Sequence, residues 1–457
     1  MRRLLIGVLL LGGIALVVAA LRPPSASSVA ARSSGPGAPL WSVRRVPSAV
    51  TDLVGAQRLQ AELSEIAAGT QHCFEVRDGT APLAAAAPEA SEIPASTLKL
   101  LTAAAALYVL GPDYRYTTRA VAASEPQGGV VEQLYLVGVG DPVLSTPERV
   151  AEIAADPLTA GSASTPLAQL ADGIVAVGVQ SIPGGVIGVD DRFDTERFSP
   201  RWPASYRSEI GAVGALVVNG GKTGPSGAGG PSTDPALDAA AQLTRLLAAR
   251  GVVVGAPGRG RAPDPSVPIA TVASPPLTEV LTSFLASSDN LAGEMLVKEL
   301  AVRAGTPGTT ANGVQVVMER LAALGIPLEG VTIVDGSGLS RDDRATCNAL
   351  LATLALGRED PRYATLRDGL AVAGERGTLA TRLVGTPLAG RLVAKTGSLN
   401  GVSGLAGVTT TRRPLDFALL LNGQFSESSA LTLRERMAAA VAAYPNAPDP
   451  DTLVPAP

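Results

Sequence analysis

The chain has 457 residues, room for two or three domains, and 46% of them are apolar, enough for a sizeable core. Its formal net charge is −4 with no long basic run, which argues against a nucleic-acid surface. The single histidine, His72, excludes H-E-x-x-H zinc chemistry and leaves a Ser-His-Asp triad only that one residue to use.

The N-terminus reads Met-Arg-Arg and then an unbroken apolar run, Leu4 to Leu21. Positive charge followed by such a run is an export signal. The run is long for a cleaved segment and just long enough to span a bilayer, so an uncleaved anchor with the bulk of the protein outside is favoured. Cleavage after Val18-Ala19-Ala20 is the other reading. Residues 1–22 are thus a signal peptide or membrane anchor. Residues 23–50, rich in Pro, Ser, Ala and Gly, form a tether, and the tail 445–457 is similar.

Folded sequence starts near Thr51. Gln57 to Ala67 has helical periodicity, Cys73 to Arg77 reads as a strand, and Pro94 precedes a strong helix, Ser96 to Leu110. Between 115 and 268 the texture changes to short apolar strands with Gly/Pro turns: Glu132 to Val139, Gly185 to Val189, Ala212 to Val218 and Val252 to Val254. Helices are expected near Leu167 to Val177 and Asp234 to Ala249. Helical character returns at Leu277 to Ala286 and Leu291 to Ala304. The last third ends in strands at Arg391 to Lys395, Gly404 to Thr409 and Phe417 to Leu421. Residues 51–114, 115–268 and 269–444 thus differ in texture.

His72 lies in the strand before Cys73 and reads as structural. The two cysteines, Cys73 and Cys347, lack metal-site spacing; an exported chain permits a disulfide between them, and two buried thiols are the alternative.

The chemistry lies in three short stretches. Ser-x-x-Lys occurs at Ser96-Thr97-Leu98-Lys99. Three residues apart on a helix lie on one face, so Lys99 can reach the Ser96 hydroxyl and take its proton, provided its pKa is lowered. Ser288-Asp289-Asn290 separates two apolar helices, where it could aim side chains into a cleft or simply cap a helix. Lys395-Thr396-Gly397-Ser398 follows an apolar strand. There the lysine can hold a carboxylate, Thr396 adds a hydroxyl, Gly397 lets a substrate backbone approach, and the Ser398 amide can face an oxyanion. Lys222-Thr223-Gly224 is a decoy, since it precedes Ser288.

In the order S-x-x-K, S-D-N, K-T-G the chain resembles the D-alanyl-D-alanine carboxypeptidase/endopeptidase family, the low-molecular-mass class C penicillin-binding proteins. Gly140-Asp141-Pro142, Asp335-Gly336-Ser337-Gly338-Leu339-Ser340 and Gly377-Thr378-Leu379 add to the likeness, which covers about residues 55 to 440. The resemblance implies an α/β fold of the β-lactamase/transpeptidase type, a sheet plus an all-helical lobe, in which residues 51–114 and 269–444 form the catalytic domain and 115–268 a mixed α/β insertion. It implies Ser96 as nucleophile, Lys99 as base and Ser288 as a third catalytic group. Asn290, Lys395, Thr396, Gly397 and Ser398 would bind substrate, and proximity of Lys395 would help keep Lys99 neutral. The Asp335–Ser340 turn reads as structural. No cofactor and no metal are implied. The partners would be peptidoglycan stem peptides ending in D-Ala-D-Ala and β-lactam antibiotics as inhibitors, outside the cytoplasmic membrane. A β-lactamase is the enzymatic rival, though no Glu-x-x-Leu-Asn occurs. A cell-wall binding protein with a vestigial site is the non-enzymatic one.

Overall fold

The computed structural model describes residues 46–445 except 412, so the apolar run Leu4 to Leu21 and most of the tether lie outside the described residues. Chain order opens with α1 (Val46–Ala67), then the hairpin β1 (Gln71–Asp78) and β2 (Ala81–Ala86). A 3₁₀ turn, Ala95–Leu98, leads into α2 (Lys99–Leu110). Next come β3 (Thr117–Ala122), β4 (Leu134–Val137), α3 (Leu167–Ala176), β5 (Val186–Val189), α4 (Pro235–Ala248), β6 (Gly258–Gly260) and β7 (Val267–Ala273). Helices α5 (Leu277–Ser287), α6 (Asn290–Arg303), α7 (Thr310–Ala323) and α8 (Cys347–Glu359) follow. The chain closes with β8 (Ala371–Val372), β9 (Leu392–Leu399), β10 (Val402–Thr410), β11 (Pro414–Asn422) and α9 (Glu427–Ala443).

The strands form a six-stranded sheet in the order β8-β9-β10-β11-β1-β2 and a five-stranded sheet in the order β6-β5-β4-β3-β7. In the first, the early hairpin is completed by strands from the far end of the chain: β1 pairs antiparallel with β11, Cys73 opposite Leu420. Alternate residues of these strands face opposite sides, as the pleat requires. Cys73, Ala406, Ala418 and Leu420 pack into the helical lobe with α2, α5, α6, α7 and α8. Phe74, Phe417, Leu419 and Leu421 pack on the other side against α1 and α9, through Leu59, Leu63, Met437 and Val441.

Helix α2 is apolar all round because it is enclosed all round. Every residue from Lys99 to Leu107 is buried. That geometry puts Lys99 in an apolar setting before any partner is considered. The Cys73–Cys347 disulfide joins β1 to the first residue of α8 across 274 residues of sequence. A bridge of this span stabilises by about 2–5 kcal/mol.

The five-stranded sheet has its own core, with Leu134, Leu136 and Val186 packed on Leu170 and Ile174 of α3 and Leu243 and Leu247 of α4. Its edge strand β7 pairs with β3, so this sheet extends to Ala273. The segment Ala212 to Val218, expected as a strand, is irregular. The amides of Ala215 and Leu216 both donate to the Asp190 carboxylate, which takes donors a neighbouring strand would need. Val213 and Val217 from this stretch, with Phe193, Trp202 and Ile210 ahead of it, instead pack on Leu291, Met295 and Leu339, beside the motifs.

Candidate active site

The site assembles from three elements. Ser96 lies in the 3₁₀ turn, where side chains three apart eclipse one another, so Lys99 is directed at it. The helix expected from Ser96 begins as this tighter turn and becomes α-helical at Lys99. Lys99 Nζ donates to Ser96 Oγ at 2.7 Å, Asn290 Oδ1 at 2.8 Å and the Ser337 carbonyl at 2.7 Å. Ser96 is half-buried, while Lys99 is fully enclosed. Burial pulls Lys99 down from the usual lysine range to about 8, against the carboxylates of Asp335, Asp289, Glu294 and Asp343, which push it up.

That bonding suits either protonation state. An ammonium offers three N–H groups for the three acceptors. A neutral amine keeps two, for Asn290 and Ser337, and turns its lone pair on the Ser96 hydroxyl.

The S-D-N stretch divides its labour. Ser288 ends α5 in the left-handed region, φ 64°. Asp289 is the N-cap of α6, accepting from the Ala292 amide at 3.1 Å. The capping role therefore falls to the aspartate alone. Ser288 is left to meet Lys395, whose Nζ donates to Ser288 Oγ and to the Thr396 carbonyl, both at 2.9 Å. Asn290 is left to meet Lys99.

The K-T-G stretch lies inside β9, not at its end, because the strand runs on to a tight hairpin with Gly401 at φ 69°. Ahead of Ala371, β8 offers β9 no partner among the described residues, so residues 395–399 are left open along that edge, where Ser398 and Leu399 line the cleft. Lys395 is fully buried, and burial, then Lys99, then Arg434 push it well below the usual lysine range. Gly397 also has a packing role. A Cβ there would lie 2.6 Å from the Pro94 carbonyl, so this glycine lets the strand pack on the turn that carries Ser96. Thr396 Oγ1 lies 2.9 Å from Thr378 Oγ1, which brings the Gly377-Thr378-Leu379 stretch into the site. Ser398 is exposed.

Sequence reasoning gave no part in the chemistry to four contributors. The Ser337 carbonyl binds Lys99, placed by Asp335, whose carboxylate accepts from the amides of Ser337, Gly338 and Ser340 and from Trp202 Nε1. The turn presses on the nucleophile's own loop, with Gly338 against the Ala95 carbonyl. Glu294, buried, accepts from the Gly336 amide; burial and then Asp335 push its carboxyl up to about 8. Arg434 of α9 donates to the Gly397 carbonyl at 3.3 Å and to Ser398 Oγ at 3.0 Å. The Asp335–Ser340 stretch was legible as a turn. A carbonyl's destination and one arginine among many were not.

A cleft of about 530 Å³ opens over Ser96, lined also by Asn290, Leu339, Ser398 and, from the inserted stretch, Tyr206 and Glu209. Lys222 of the decoy is exposed and lines a neighbouring cavity instead. His72 is structural, its Nδ1 3.0 Å from the Thr70 carbonyl.

The model of the D-Ala-D-Ala carboxypeptidase 3 (S13) family matches residues 67–226 and 208–444. The chain belongs to this family. A carboxypeptidase of Mycobacterium tuberculosis is 36% identical over 343 residues, covering 72% of this chain and 71% of the relative. A D-alanyl-D-alanine carboxypeptidase of Actinomadura sp. is 30% identical over 436 residues, 77% of each chain. Among solved structures, penicillin binding protein 4 of Haemophilus influenzae superposes with a TM-score of 0.68 at 20% identity, over 83% of this chain and 98% of that one. This likeness establishes the β-lactamase/transpeptidase-like fold. As a member of the S13 family, the protein is a serine-type hydrolase of the cell wall, acting outside the cytoplasm.

Proposed function

We propose that the chain removes the terminal D-alanine from peptidoglycan stem peptides through an acyl-enzyme on Ser96. The observation that carries this is the 2.7 Å contact between Ser96 Oγ and a buried Lys99 held down to about 8. Lys99 takes the Ser96 proton as the hydroxyl oxygen attacks the penultimate carbonyl carbon. The developing oxyanion faces the amides of Ser96 and Ser398. Ser288 accepts from Lys395, so its own proton is directed elsewhere; it gives that proton to the departing amine and takes up the one Lys99 drew from Ser96, which returns Lys99 to the neutral amine. Departure of D-alanine leaves an ester on Ser96. Water, deprotonated by Lys99, hydrolyses it. Thr396 and Ser398 hold the free carboxylate of the departing residue. Cutting a cross-link is the same chemistry with a longer leaving group, for which the open cleft past Tyr206 and Glu209 has room.

The same covalent step predicts inhibition by β-lactams, and the penicillin binding protein 4 of Haemophilus influenzae has been solved in complex with one. Residues 115–268, with the end of β7, are read as an insertion in the catalytic domain. Leu4 to Leu21 is read as its membrane anchor; among the described residues no helix is long and apolar enough to cross a membrane. Incubation with a labelled penicillin is the direct test. A stable adduct mapped to Ser96, absent in Ser96→Ala, together with D-alanine release from a D-Ala-D-Ala peptide, is expected. No adduct sinks the covalent mechanism, and rapid turnover of the antibiotic favours a β-lactamase.

A further inference from the structure

Arg434 is 7% exposed on α9, a helix that carries none of the three motifs. Its guanidinium nevertheless reaches β9 on the two residues that follow Thr396, the Gly397 carbonyl and Ser398 Oγ. Ser398 is exposed and lines the cleft with Ser96. A guanidinium only donates, so the bond into Ser398 Oγ occupies a lone pair and leaves the hydroxyl proton to point away from Arg434. The open direction is the cleft. Lys395, the more obvious cation, is fully buried and committed to Ser288 and the Thr396 carbonyl. Arginine also stays charged at any working pH.

We propose that Arg434 is a positioning residue that acts through Ser398 to make the cleft select substrates with a free carboxylate on the leaving residue. It fixes the Ser398 hydroxyl as a donor towards that carboxylate and places a permanent positive charge one hydroxyl behind it. The proposal rests on reading the cleft as a D,D-peptidase site. It names which group sets the preference for a chain end.

The test compares two substrates on the full chain, a D-Ala-D-Ala peptide with a free C-terminal carboxylate and the same peptide as its C-terminal amide. Wild type is expected to favour the free acid in kcat/KM, chiefly through KM, because the contact is present in ground and transition states alike. Arg434→Gln should shrink that preference at least tenfold. Arg434→Lys, which keeps the charge, should retain most of it. Ser398→Ala, at an exposed position that leaves the fold undisturbed, should shrink it as Arg434→Gln does, and the double variant should shrink it no further. An unchanged preference in Ser398→Ala, an equal loss on both substrates in Arg434→Gln, or additive losses in the double variant overturns the proposal. A wild type that releases D-alanine but does not discriminate overturns it too. A wild type that releases no D-alanine from the free acid sinks the peptidase reading itself.

Discussion

Two fully buried lysines serve this site, Lys99 beside Ser96 and Lys395 beside Ser288, and they differ in the charges around them. Lys99 is surrounded by Asp335, Asp289, Glu294 and Asp343, so burial and counter-charge oppose and the amine comes to rest at about 8. Lys395 feels burial, Lys99 and Arg434, which all act in the same direction, and it is driven well below the lysine range. Equal desolvation thus yields two different groups. One is poised to gain and lose a proton near neutral pH, as a general base must. The other is a donor that orders Ser288. A nearby cation is often invoked to lower a catalytic lysine. Here the base is tuned by solvent exclusion and restrained by carboxylates, and the cations act on its neighbour.

The comparison breaks most visibly if the two lysines are exchanged for methionine, which keeps their volume. Lys99→Met removes the proton acceptor and should slow acylation by labelled penicillin by about 10³-fold, within the range general-base catalysis supplies. Near-normal acylation would remove Lys99 as the base. Lys395→Met leaves the base in place and frees Ser288, so a smaller loss of about 10²-fold is expected. It should fall more heavily on D-alanine release from the peptide than on opening of the β-lactam, whose leaving amine stays tethered. Equal losses in the two variants would mean that Lys395 shares the base role.

How much of this was legible in the sequence depends on whether a residue acts through its neighbours in the chain. Ser96 and Lys99 are three residues apart, so local geometry alone brings them together. Asp289 and Asn290 follow Ser288 directly, and the helix boundary there was readable from apolar segments on each side. Gly397 was singled out for a substrate, but its close approach to Pro94, 303 positions earlier in the sequence, was out of reach of any local pattern. The early hairpin gave no sign of pairing with β11. Nor could the pattern of Ala212 to Val218 reveal that Asp190 would claim its amides. Asp335 is instructive because its local bonds to Ser337, Gly338 and Ser340 are what a Gly-rich turn suggests. Its bond to Trp202, and the delivery of the Ser337 carbonyl to Lys99, depend on tertiary packing.

The smallest effect is the most discriminating for the tuning of Lys99. Acylation needs the neutral amine, so its rate should climb about tenfold per pH unit below 8 and level off above it. Among the carboxylates that hold Lys99 up, Asp335 organises the whole turn and cannot be changed cleanly. Glu294 can. It accepts one amide, from Gly336 at 3.1 Å, and glutamine keeps an oxygen for that bond. Removing its charge withdraws a term that favours the protonated lysine, so the Glu294→Gln limb should move to lower pH. The shift should be less than about one unit, because Glu294, pushed up to about 8, is itself largely protonated over much of the range. A pH profile of penicillin acylation measures it. A limb displaced upwards would mean that Glu294 acts on Lys99 through packing, and an unmoved limb would mean that Glu294 carries no charge where Lys99 titrates.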